Sequence, residues 1–436
     1  MSMDNAVEGH RAASSWLARV RSIFAATIGG LVEWYDWYTY PTLALYFSKS
    51  FFPQVDQTAQ LLNAAGIFAL GFMIRPLGSW LMGVYADRKG RKPAMMLSMV
   101  VMGCGSLGIA FIPSYATIGV MAPVLLVFFR VVQGLSLGGQ YAASATYISE
   151  MAIRKRRGFW GSIHYVTILL GLLLSMSVLL VLQAVLTSDE LIAWGWRIPF
   201  LIGTVMAGVA YFVISSVNET KSFEAVQRLA ERPRTWPLMA KHWRELLIVF
   251  VVTAAGTTAY QNYAIYMPKF LVNTSGFSAE TAAQISTATI VIFMFLQPLL
   301  GWISDFVGRK ALLVTFSALG TLGTVPIMMA LEKADQSTNA FLILTFAFVI
   351  LSPYTAVSAL FKAELFPAEI RALGVGLSFA AAQAVFGGSA EFIALSFKRA
   401  NHESYYYWFL TALMFVAFLT TLRMRDPQRH SRITED

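Results

Sequence analysis

Long apolar runs alternate with short polar segments along most of the chain. A helix needs roughly 20 predominantly apolar residues to cross a bilayer, and most of these runs reach that length. The pattern therefore predicts an all-α membrane protein with twelve transmembrane helices. They are predicted near residues 21–48, 58–86, 93–112, 118–149, 158–187, 194–217, 243–272, 280–304, 311–331, 338–363, 370–399 and 403–424.

Two short charged motifs occur once in each half of the chain. The pattern Gly-x-x-x-Asp-x-x-Gly-Arg-Lys stands at residues 83–92 and again at 301–310. A glutamate seven residues before an arginine recurs at nearly the same offset, as Glu150 with Arg157 and as Glu364 with Arg371. These repeats predict two pseudo-symmetric bundles of six helices, related by an axis along the membrane normal.

The repeats place a boundary at the longest internal polar stretch, which contains Pro233 and Pro237. Proline and polar residues are typical of a linker between two domains. The expected divisions are an N-terminal segment 1–20, a first bundle 21–217, a linker 218–241, a second bundle 242–425 and a tail 426–436.

Lysine and arginine are concentrated in alternate loops, such as 88–92 and 154–157, while the intervening loops carry few. Positively charged loops stay in the cytoplasm. Both termini are therefore predicted to be cytoplasmic. The chain is expected to be a multi-pass protein of the inner, cytoplasmic membrane.

Composition agrees with a membrane protein and excludes a soluble one. Of 436 residues, 57% are hydrophobic and 13% are charged, whereas soluble domains carry about 25% charged residues. The net charge of +9 is typical of chains that bind polyanions. Here the cations form short clusters between apolar runs, so the expected partner is the lipid bilayer and no nucleic acid is expected.

The sequence contains no motif of a known catalytic or metal site. No phosphate-binding loop, His-Glu-x-x-His or paired Cys-x-x-Cys is present, and Cys104 is the only cysteine. These motifs supply nucleotide or metal chemistry. We therefore expect neither an enzyme nor an ATP-driven pump, and no metal or cofactor.

The charged hairpins predict a gate at the cytoplasmic ends of the helices. We expect the first hairpin to pair with Glu150 and Arg157 and so hold the two halves together on that side. A topology signal alone is the alternative, but it needs neither an aspartate nor glycines. The predicted gating residues are Gly83, Asp87, Arg88, Gly90, Arg91, Lys92, Glu150, Arg157, Asp305, Arg309, Glu364 and Arg371.

Two acids on the first helix predict a buried site for a proton. Glu33, Asp36 and Tyr40 share one helical face, and an acid near a helix centre costs roughly 2.5–3.5 kcal/mol on insertion scales. That face should line a cavity, with Arg75 and Arg130 as available counter-charges. We expect Asp36 to carry the proton, Glu33 to be the second candidate and Arg130 to share the network. A static ion pair is the alternative.

Polar side chains at helical spacing on several helices predict a site for a small anion. Arginine and lysine bind carboxylates, arginine with bidentate geometry. Three alternatives remain: interhelical hydrogen bonds for the fourth helix, one structural hydrogen bond for His164, and snorkelling for Lys269. The expected substrate-binding residues are Arg75, Arg130, Gln133, Tyr141, His164, Tyr260, Tyr263, Lys269 and Gln383.

Several stretches resemble a known family. Besides the two hairpins they are Glu33-Trp-Tyr-Asp36, Gly71-Phe-Met-Ile-Arg75-Pro76, Arg130-Val-Val-Gln133-Gly134, Trp194-Gly-Trp-Arg197-Ile-Pro199 and Lys362-Ala-Glu-Leu-Phe-Pro367. Together they resemble the metabolite:proton symporter branch of the major facilitator superfamily. The resemblance implies two six-helix bundles that work by alternating access, and we expect a monomer to be functional.

The resemblance also implies an activity: symport of a small organic anion with protons. The expected substrate is α-ketoglutarate or a related di- or tricarboxylate. Citrate, shikimate and a zwitterionic osmolyte such as betaine or proline are alternatives within the same class. A non-transporting membrane sensor is a remote alternative, which the retained acids Glu33 and Asp36 disfavour.

The sequence departs from the family pattern at two positions. Gln140 stands where the pattern after the glycine pair of the fourth helix usually has glutamate. A coupling role for a carboxylate at that position is therefore in doubt. Phe306 replaces the arginine found at the matching position, Arg88, of the first hairpin, so we expect a weaker charge network at the second hairpin.

Overall fold

The structure is a computed structural model, and it describes residues 27–44, 46–52, 57–152, 154–217, 219, 223, 235–400 and 402–433. The predicted N-terminal segment 1–20 and most of the predicted linker 218–241 lie outside these residues. Within them every long regular element is a helix and no strand is present.

Twelve principal helices, here numbered α1 to α12, follow one another along the chain. The first six are α1 (27–44 and 46–51), α2 (Gln57–Lys89), α3 (Arg91–Phe111), α4 (Met121–Met151), α5 (Arg157–Val185) and α6 (Ile198–Ser215). Short helices at Tyr115–Ile118 and Ser188–Ala193 lie in the connections, and a third, Thr235–Lys241, precedes the second half.

The second six helices include two that are interrupted by π-helical turns. They are α7 (Trp243–Tyr260, Gln261–Tyr266 and Met267–Asn273), α8 (Ala279–Val307), α9 (Arg309–Glu332), α10 (Ser337–Leu365), α11 (Arg371–Ala382, Gln383–Gly387 and Ala390–Arg399) and α12 (Glu403–Arg423). Ten helices in the described residues are long and apolar enough to cross a membrane. With α1 and α7 they make up the twelve that the apolar pattern predicts.

Large apolar side chains are exposed along these helices. Phe212, Val185 and Phe392 are each at least 70% exposed. In water such exposure would be unfavourable, whereas lipid tails solvate apolar side chains and require the backbone to be paired inside helices. The surface is therefore that of a protein surrounded by lipid.

Glycines bring α2 and α4 into close contact. A Cβ at Gly78 would lie 2.3 Å from the carbonyl oxygen of Leu135, and a Cβ at Gly138 would lie 2.4 Å from that of Arg75. Small residues allow membrane helices to approach this closely. The contact fixes the backbone of Arg75 against α4.

The two halves meet through α2 against α11 and α5 against α8. We call the end of the molecule that carries the α2–α3, α4–α5, α8–α9 and α10–α11 connections the basic end, because lysine and arginine are clustered in or directly beside the first three of them. The other end is called the opposite end.

Candidate functional site

A cavity of about 440 Å³ lies between the two halves. Its wall combines side chains from α1, α2, α4 and α5 with side chains from α7, α8, α10 and α11. Most of the wall is formed by aromatic and aliphatic side chains, with a smaller number of polar groups such as Arg75 and Gln383. Apolar walls with few polar groups are typical of small-molecule sites. The wall extends to Leu179 and Lys269, toward the opposite end.

Arg75 supplies a positive charge to this cavity. Its guanidinium carbon lies 4.1 Å from the ring centre of Trp37 and 4.0 Å from that of Phe72. Its Nε and Nη2 atoms have no hydrogen-bond acceptor, and no described carboxylate forms an ion pair with it. Because a buried cation without a directly bonded anion is unfavourable, Arg75 is a candidate for binding an anionic ligand.

Asp36 lies in a buried network next to the cavity. Its Oδ2 atom accepts a hydrogen bond from the hydroxyl of Ser106 and another, of 2.9 Å, from Nε2 of Gln133. Arg130 donates in turn to Oε1 of Gln133 at 2.8 Å. The acid and the arginine are therefore linked through an amide, and no direct ion pair joins them in the described structure. The Oδ1 atom of Asp36 has no hydrogen-bond partner.

Glu33 lies apart from the Asp36 network. Its Oε1 atom accepts a hydrogen bond of 2.9 Å from Ser136, and the side chain is buried. The shared helical face that the sequence predicts for Glu33 and Asp36 thus leads to two separate polar contacts with α4, one through Ser136 and one through Gln133. Neither acid lines the cavity directly.

Arg130 and Gln133 do not line the cavity, contrary to the sequence-based expectation of direct substrate contact. The guanidinium carbon of Arg130 lies 4.3 Å from the ring centres of both Trp37 and Tyr40. Trp37 does line the cavity. The aromatic side chain therefore stands between the cavity and the network of Asp36, Gln133 and Arg130.

Three of the expected residues line the cavity on the other sides. Tyr141 lies on α4, while Tyr260 and Gln383 lie on α7 and α11. The hydroxyl of Tyr260 is 3.1 Å from that of Tyr38, so this hydrogen bond joins the two halves across the cavity. Gln383 begins the π-helical turn of α11, and its Oε1 atom has no partner. Such turns occur frequently at functional sites.

Lys269 and Tyr263 differ from the sequence-based expectation. Lys269 lines the cavity on the side of the opposite end but forms an ion pair with Glu391 of α11. Its charge is therefore already balanced. Tyr263 faces a different, small space that is enclosed by α7, α9, α10 and α12. It lies in the π-helical turn Gln261–Tyr266, where the wider turn changes which residues share a face with Tyr260.

Sequence reasoning did not identify Lys362 as a site residue, although in the structure it lies next to the cavity, on the side of the basic end. The side chain is fully buried, and its Nζ atom lies 2.9 Å from both the Tyr141 hydroxyl and the Ser358 hydroxyl. His164 is buried in the same region, with its ring 5.1 Å from that of Tyr141. A lysine within the last turn of an apolar helix was the available signal, but such lysines usually snorkel to the surface.

The first hairpin reaches across to the second half at the basic end. Asp87 accepts backbone hydrogen bonds from Ala372 and Leu373 at the start of α11, of 3.3 and 3.0 Å. An acid at a helix start is favourable because the free N–H groups and the helix dipole attract negative charge. Arg91 lies 3.3 Å from Asp87 and 3.5 Å from Glu150.

A direct ion pair also joins the halves at this end. Arg371 of α11 lies 2.5 Å from Glu150 of α4. Arg91 adds a hydrogen bond of 2.8 Å to the carbonyl of Ala368. The sequence predicted pairing of the hairpin with Glu150 and Arg157, but these belong to the same half, so that pairing alone could not hold the halves together. The cross-half contacts are made with α11 and the segment that precedes it.

The second hairpin repeats this arrangement with the halves exchanged. Asp305 accepts backbone hydrogen bonds from Gly158 and Phe159 at the start of α5, of 2.7 and 3.2 Å. Arg309 lies 3.1 Å from Asp305 and 3.7 Å from Glu364. These contacts match those of the first hairpin. The relative strength of the two networks stays a prediction.

Two of the predicted gating residues, Arg88 and Lys92, lie at the surface or contact the first half in the described structure. Arg88 is exposed, and Phe306 at the matching position is 73% exposed, so this position lies at the surface in both hairpins. Lys92 donates to the carbonyl of Ser215 at 2.7 Å, within the first half. Arg157 donates at 3.1 Å to the carbonyl of Ile433 in the C-terminal tail.

The glycines of the hairpins have distinct roles. Gly90 and Gly308 have φ angles of 117° and 93°, which only glycine adopts without strain. Gly83 is a contact point, because a Cβ there would lie 3.0 Å from the Cα of Leu373 in the other half. The side chain of Gln140 lies outside the described part of the structure.

Comparison with known proteins agrees with this architecture. The family model of the Major Facilitator Superfamily matches residues 26–390 and 249–435. The α-ketoglutarate permease of Escherichia coli (strain K12) is 44% identical over 417 residues, which cover 95% of this chain and 96% of that one. The citrate-proton symporter of Salmonella typhi is 29% identical, over 93% of this chain and 94% of that one.

A solved structure shares the fold. The proton:xylose symporter XylE bound to 6-bromo-6-deoxy-D-glucose superposes with a TM-score of 0.83 and 18% identity, over 96% of this chain and 98% of that one. The family match extends over nearly the whole sequence, including both hairpins. The chain belongs to the major facilitator superfamily.

Proposed function

We propose that this protein is a proton-coupled symporter of a small organic anion, with α-ketoglutarate as the first candidate substrate. The observation that carries the proposal is Arg75, a cation in the wall of the central cavity with no described carboxylate partner. The 44% identity to an α-ketoglutarate permease supports the specific compound. The protein is a multi-pass protein of the inner, cytoplasmic membrane, and the proposed activity is transport without catalysis.

The two halves are proposed to work by alternating access. The cavity extends toward the opposite end, while the hairpins join the halves at the basic end. The positively charged connections support a cytoplasmic location for the basic end, and with it for both termini. The described state is then closed to the cytoplasm. Breaking the hairpin contacts would allow the cavity to open to the inside, because small local changes shift such equilibria.

Asp36 is proposed to carry the proton. Gln133 connects it to Arg130, and Trp37 connects that arginine to the cavity. A proton on Asp36 removes one negative charge from the region near the cavity, which favours an incoming anion. Release of the anion then favours release of the proton. A monomer contains both halves and the whole cavity, so a monomer is the proposed functional unit.

A competition panel tests the substrate assignment. Purified protein in liposomes is expected to take up labelled α-ketoglutarate, and unlabelled succinate, unlabelled α-ketoglutarate, citrate, shikimate, betaine or proline is added in turn as a competitor. Competition by dicarboxylates alone supports the proposal. Strong competition by betaine would instead support an osmolyte carrier, since the aromatic wall of Trp34, Trp37 and Tyr260 suits a quaternary ammonium. Absence of uptake when each of these compounds is supplied in labelled form would contradict their transport by this protein.

A further inference from the structure

Lys362 is a buried cation that the contacts described so far leave without an anion. Its ammonium group is bound only by the hydroxyls of Tyr141 and Ser358 and lies 4.4 Å from the ring centre of Phe379. No described carboxylate forms an ion pair with it. A buried charge is expensive unless it is paired. The described contacts of the two hairpins do not include Lys362 either. An anionic ligand would therefore supply the missing partner for its charge.

The side chains around Lys362 are also the wall of the cavity. Tyr141, Ser358, Phe379 and Tyr354 line the cavity, and each of them contacts or faces the ammonium group. The ammonium is therefore separated from the cavity by one layer of side chains. Two of those side chains present hydroxyls that a carboxylate can replace as acceptors, because a carboxylate accepts stronger, charge-assisted hydrogen bonds.

His164 lies next to this cluster, and neither of its ring nitrogens has a hydrogen-bond partner among the described residues. A charged imidazole would be repelled by the neighbouring ammonium of Lys362, with no described anion to offset the repulsion. We therefore treat the imidazole of His164 as neutral. The cluster then contributes one positive charge whenever Lys362 is protonated, and a bound carboxylate favours that protonated form.

The charges beside the cavity suit an anion with two carboxylates. The buried cations are Arg75, Arg130 and Lys362, and the buried acids are Glu33 and Asp36. The ion pair of Lys269 with Glu391 at the cavity wall adds no net charge. With both acids ionised the balance is one net positive charge, and with one acid protonated it is two. A dianion together with one proton would leave the region neutral.

We propose that Lys362 binds the second carboxylate of a dicarboxylate substrate, while Arg75 binds the first. This inference rests on the proposed function and narrows its substrate class to dicarboxylates. Arg75 belongs to the first half and Lys362 to the second, so a ligand with two carboxylates contacts both halves at once. Binding at Lys362 separates it from Tyr141, which is a contact between the halves.

Lys362→Met tests the inference by comparing two ligands. Replacement of a buried ion by an apolar side chain of similar volume is often neutral or stabilising, so this variant is expected to fold. The probes are α-ketoglutarate and 2-oxopentanoate, which has the same chain length but lacks the second carboxylate. Binding of both is measured on purified protein, with thermal melting as the check of folding.

Lys362→Met is expected to weaken α-ketoglutarate binding about 10- to 100-fold, since hydrogen bonds to charged groups contribute about 1.5–3 kcal/mol. Binding of 2-oxopentanoate should change less than threefold. Arg75→Met should weaken both ligands, Lys362→Arg should restore part of the difference between them, and the exposed Lys333→Gln should change neither. Should Lys362→Met fail to fold, the same comparison is made with Lys362→Gln, which keeps a polar side chain but removes the charge.

Equal losses for both ligands, or an unchanged preference for α-ketoglutarate, would overturn the role of Lys362. For Lys362→Gln, an unchanged preference would do the same. These results are distinguishable from failure of the proposed function, in which the unmodified protein would bind neither ligand.

Discussion

At the residue scale, one amide connects the charges assigned to proton coupling. Gln133 accepts from Arg130 and donates to Asp36, at 2.8 and 2.9 Å. Neither charge contacts the other directly in the described structure. The amide can therefore transmit a change in the charge of Asp36 to the guanidinium, and through Trp37 to the cavity.

Gln133→Leu is expected to lower proton-driven accumulation of substrate about tenfold, because it leaves Asp36 and Arg130 each without a charge-assisted hydrogen bond of about 1.5–3 kcal/mol. Accumulation in liposomes under an inward proton gradient is the measurement. Gln297→Leu is the matched control. Gln297 is a buried glutamine of α8 that hydrogen-bonds Thr355, away from both charges. Equal losses in the two variants would remove Gln133 from coupling.

The sequence revealed some of these residues for a physical reason. Asp36, Arg75 and Arg130 stand out because charges within apolar runs are costly. Ser106 and Lys362 did not stand out, since a serine is common in membrane helices and a lysine near a helix end usually reaches the surface. Only the packing of neighbouring helices shows that both are buried.

At the element scale, glycines determine how closely the helices approach one another. The α2–α4 contact at Gly138 is against backbone atoms of Arg75 and Ser79, which cannot move aside as a flexible side chain can. The sequence did not indicate the π-helical turns of α7 and α11, and the turn in α7 is the reason why Tyr260 lines the cavity while Tyr263 does not.

Gly138→Ala is expected to lower the melting temperature in detergent by several degrees, because its Cβ would lie 2.4 Å from a carbonyl oxygen of α2. Clashes of this kind typically cost about 1–3 kcal/mol. Gly208→Ala is the control, since a Cβ there meets no atom within 4 Å. A Gly138→Ala protein as stable as the control would contradict the close contact.

The hairpin gate gives a second prediction at this scale. Asp87→Asn and Asp305→Asn are expected to shift the protein by similar amounts toward the state that is open at the basic end. The reason is that each aspartate accepts two backbone hydrogen bonds from the opposite half. Charge-assisted bonds are roughly twice as strong as neutral ones.

Cysteine labelling measures this shift in a Cys104→Ser background. Ser162→Cys reports on the basic end, since Ser162 is buried against Gly301 of the other half. Thr42→Cys reports on the cavity wall. Labelling should rise at the first position and fall at the second. Identical labelling before and after the aspartate substitutions would reject the gate. An effect of Asp87→Asn alone would support the sequence-based expectation that the second hairpin has the weaker charge network.

At the scale of the whole molecule, the C-terminal tail joins both halves at the basic end. The carbonyl of Ile433 accepts from Arg157 of α5, and the carbonyl of Arg432 accepts from Arg371 of α11 at 2.9 Å. The backbone N–H of Arg432 donates to the carbonyl of Glu364 at 3.1 Å. Ile433 itself is buried. The tail therefore stabilises the closed basic end.

Removal of residues 426–436 is expected to raise labelling at the Ser162→Cys reporter in the same direction as Asp87→Asn. The bonds to the arginines are made by backbone carbonyls, so substitution of the exposed Arg429 by alanine is a suitable control with no expected effect. Unchanged labelling after truncation would show that the hairpins alone hold the basic end closed.

The sequence predicted the two-bundle architecture because duplication leaves repeated motifs and apolar runs mark each helix. It predicted charged hairpins at one end of the molecule because the charged motif recurs at matching places in the two halves. It did not predict contacts between Asp87 and the start of α11, since those depend on how the two bundles face each other. Nor did it predict a role for the tail, whose short polar segment from Asp426 onward carries no periodic pattern.

The most direct test of proton-coupled transport is uptake of labelled α-ketoglutarate into liposomes, with and without an inward proton gradient, by the unmodified protein and by Asp36→Asn. The unmodified protein should accumulate the label above its external concentration only with the gradient. Asp36→Asn should still exchange label across the membrane but should not accumulate it. Accumulation by Asp36→Asn equal to that of the unmodified protein, or no uptake by either, would contradict the account.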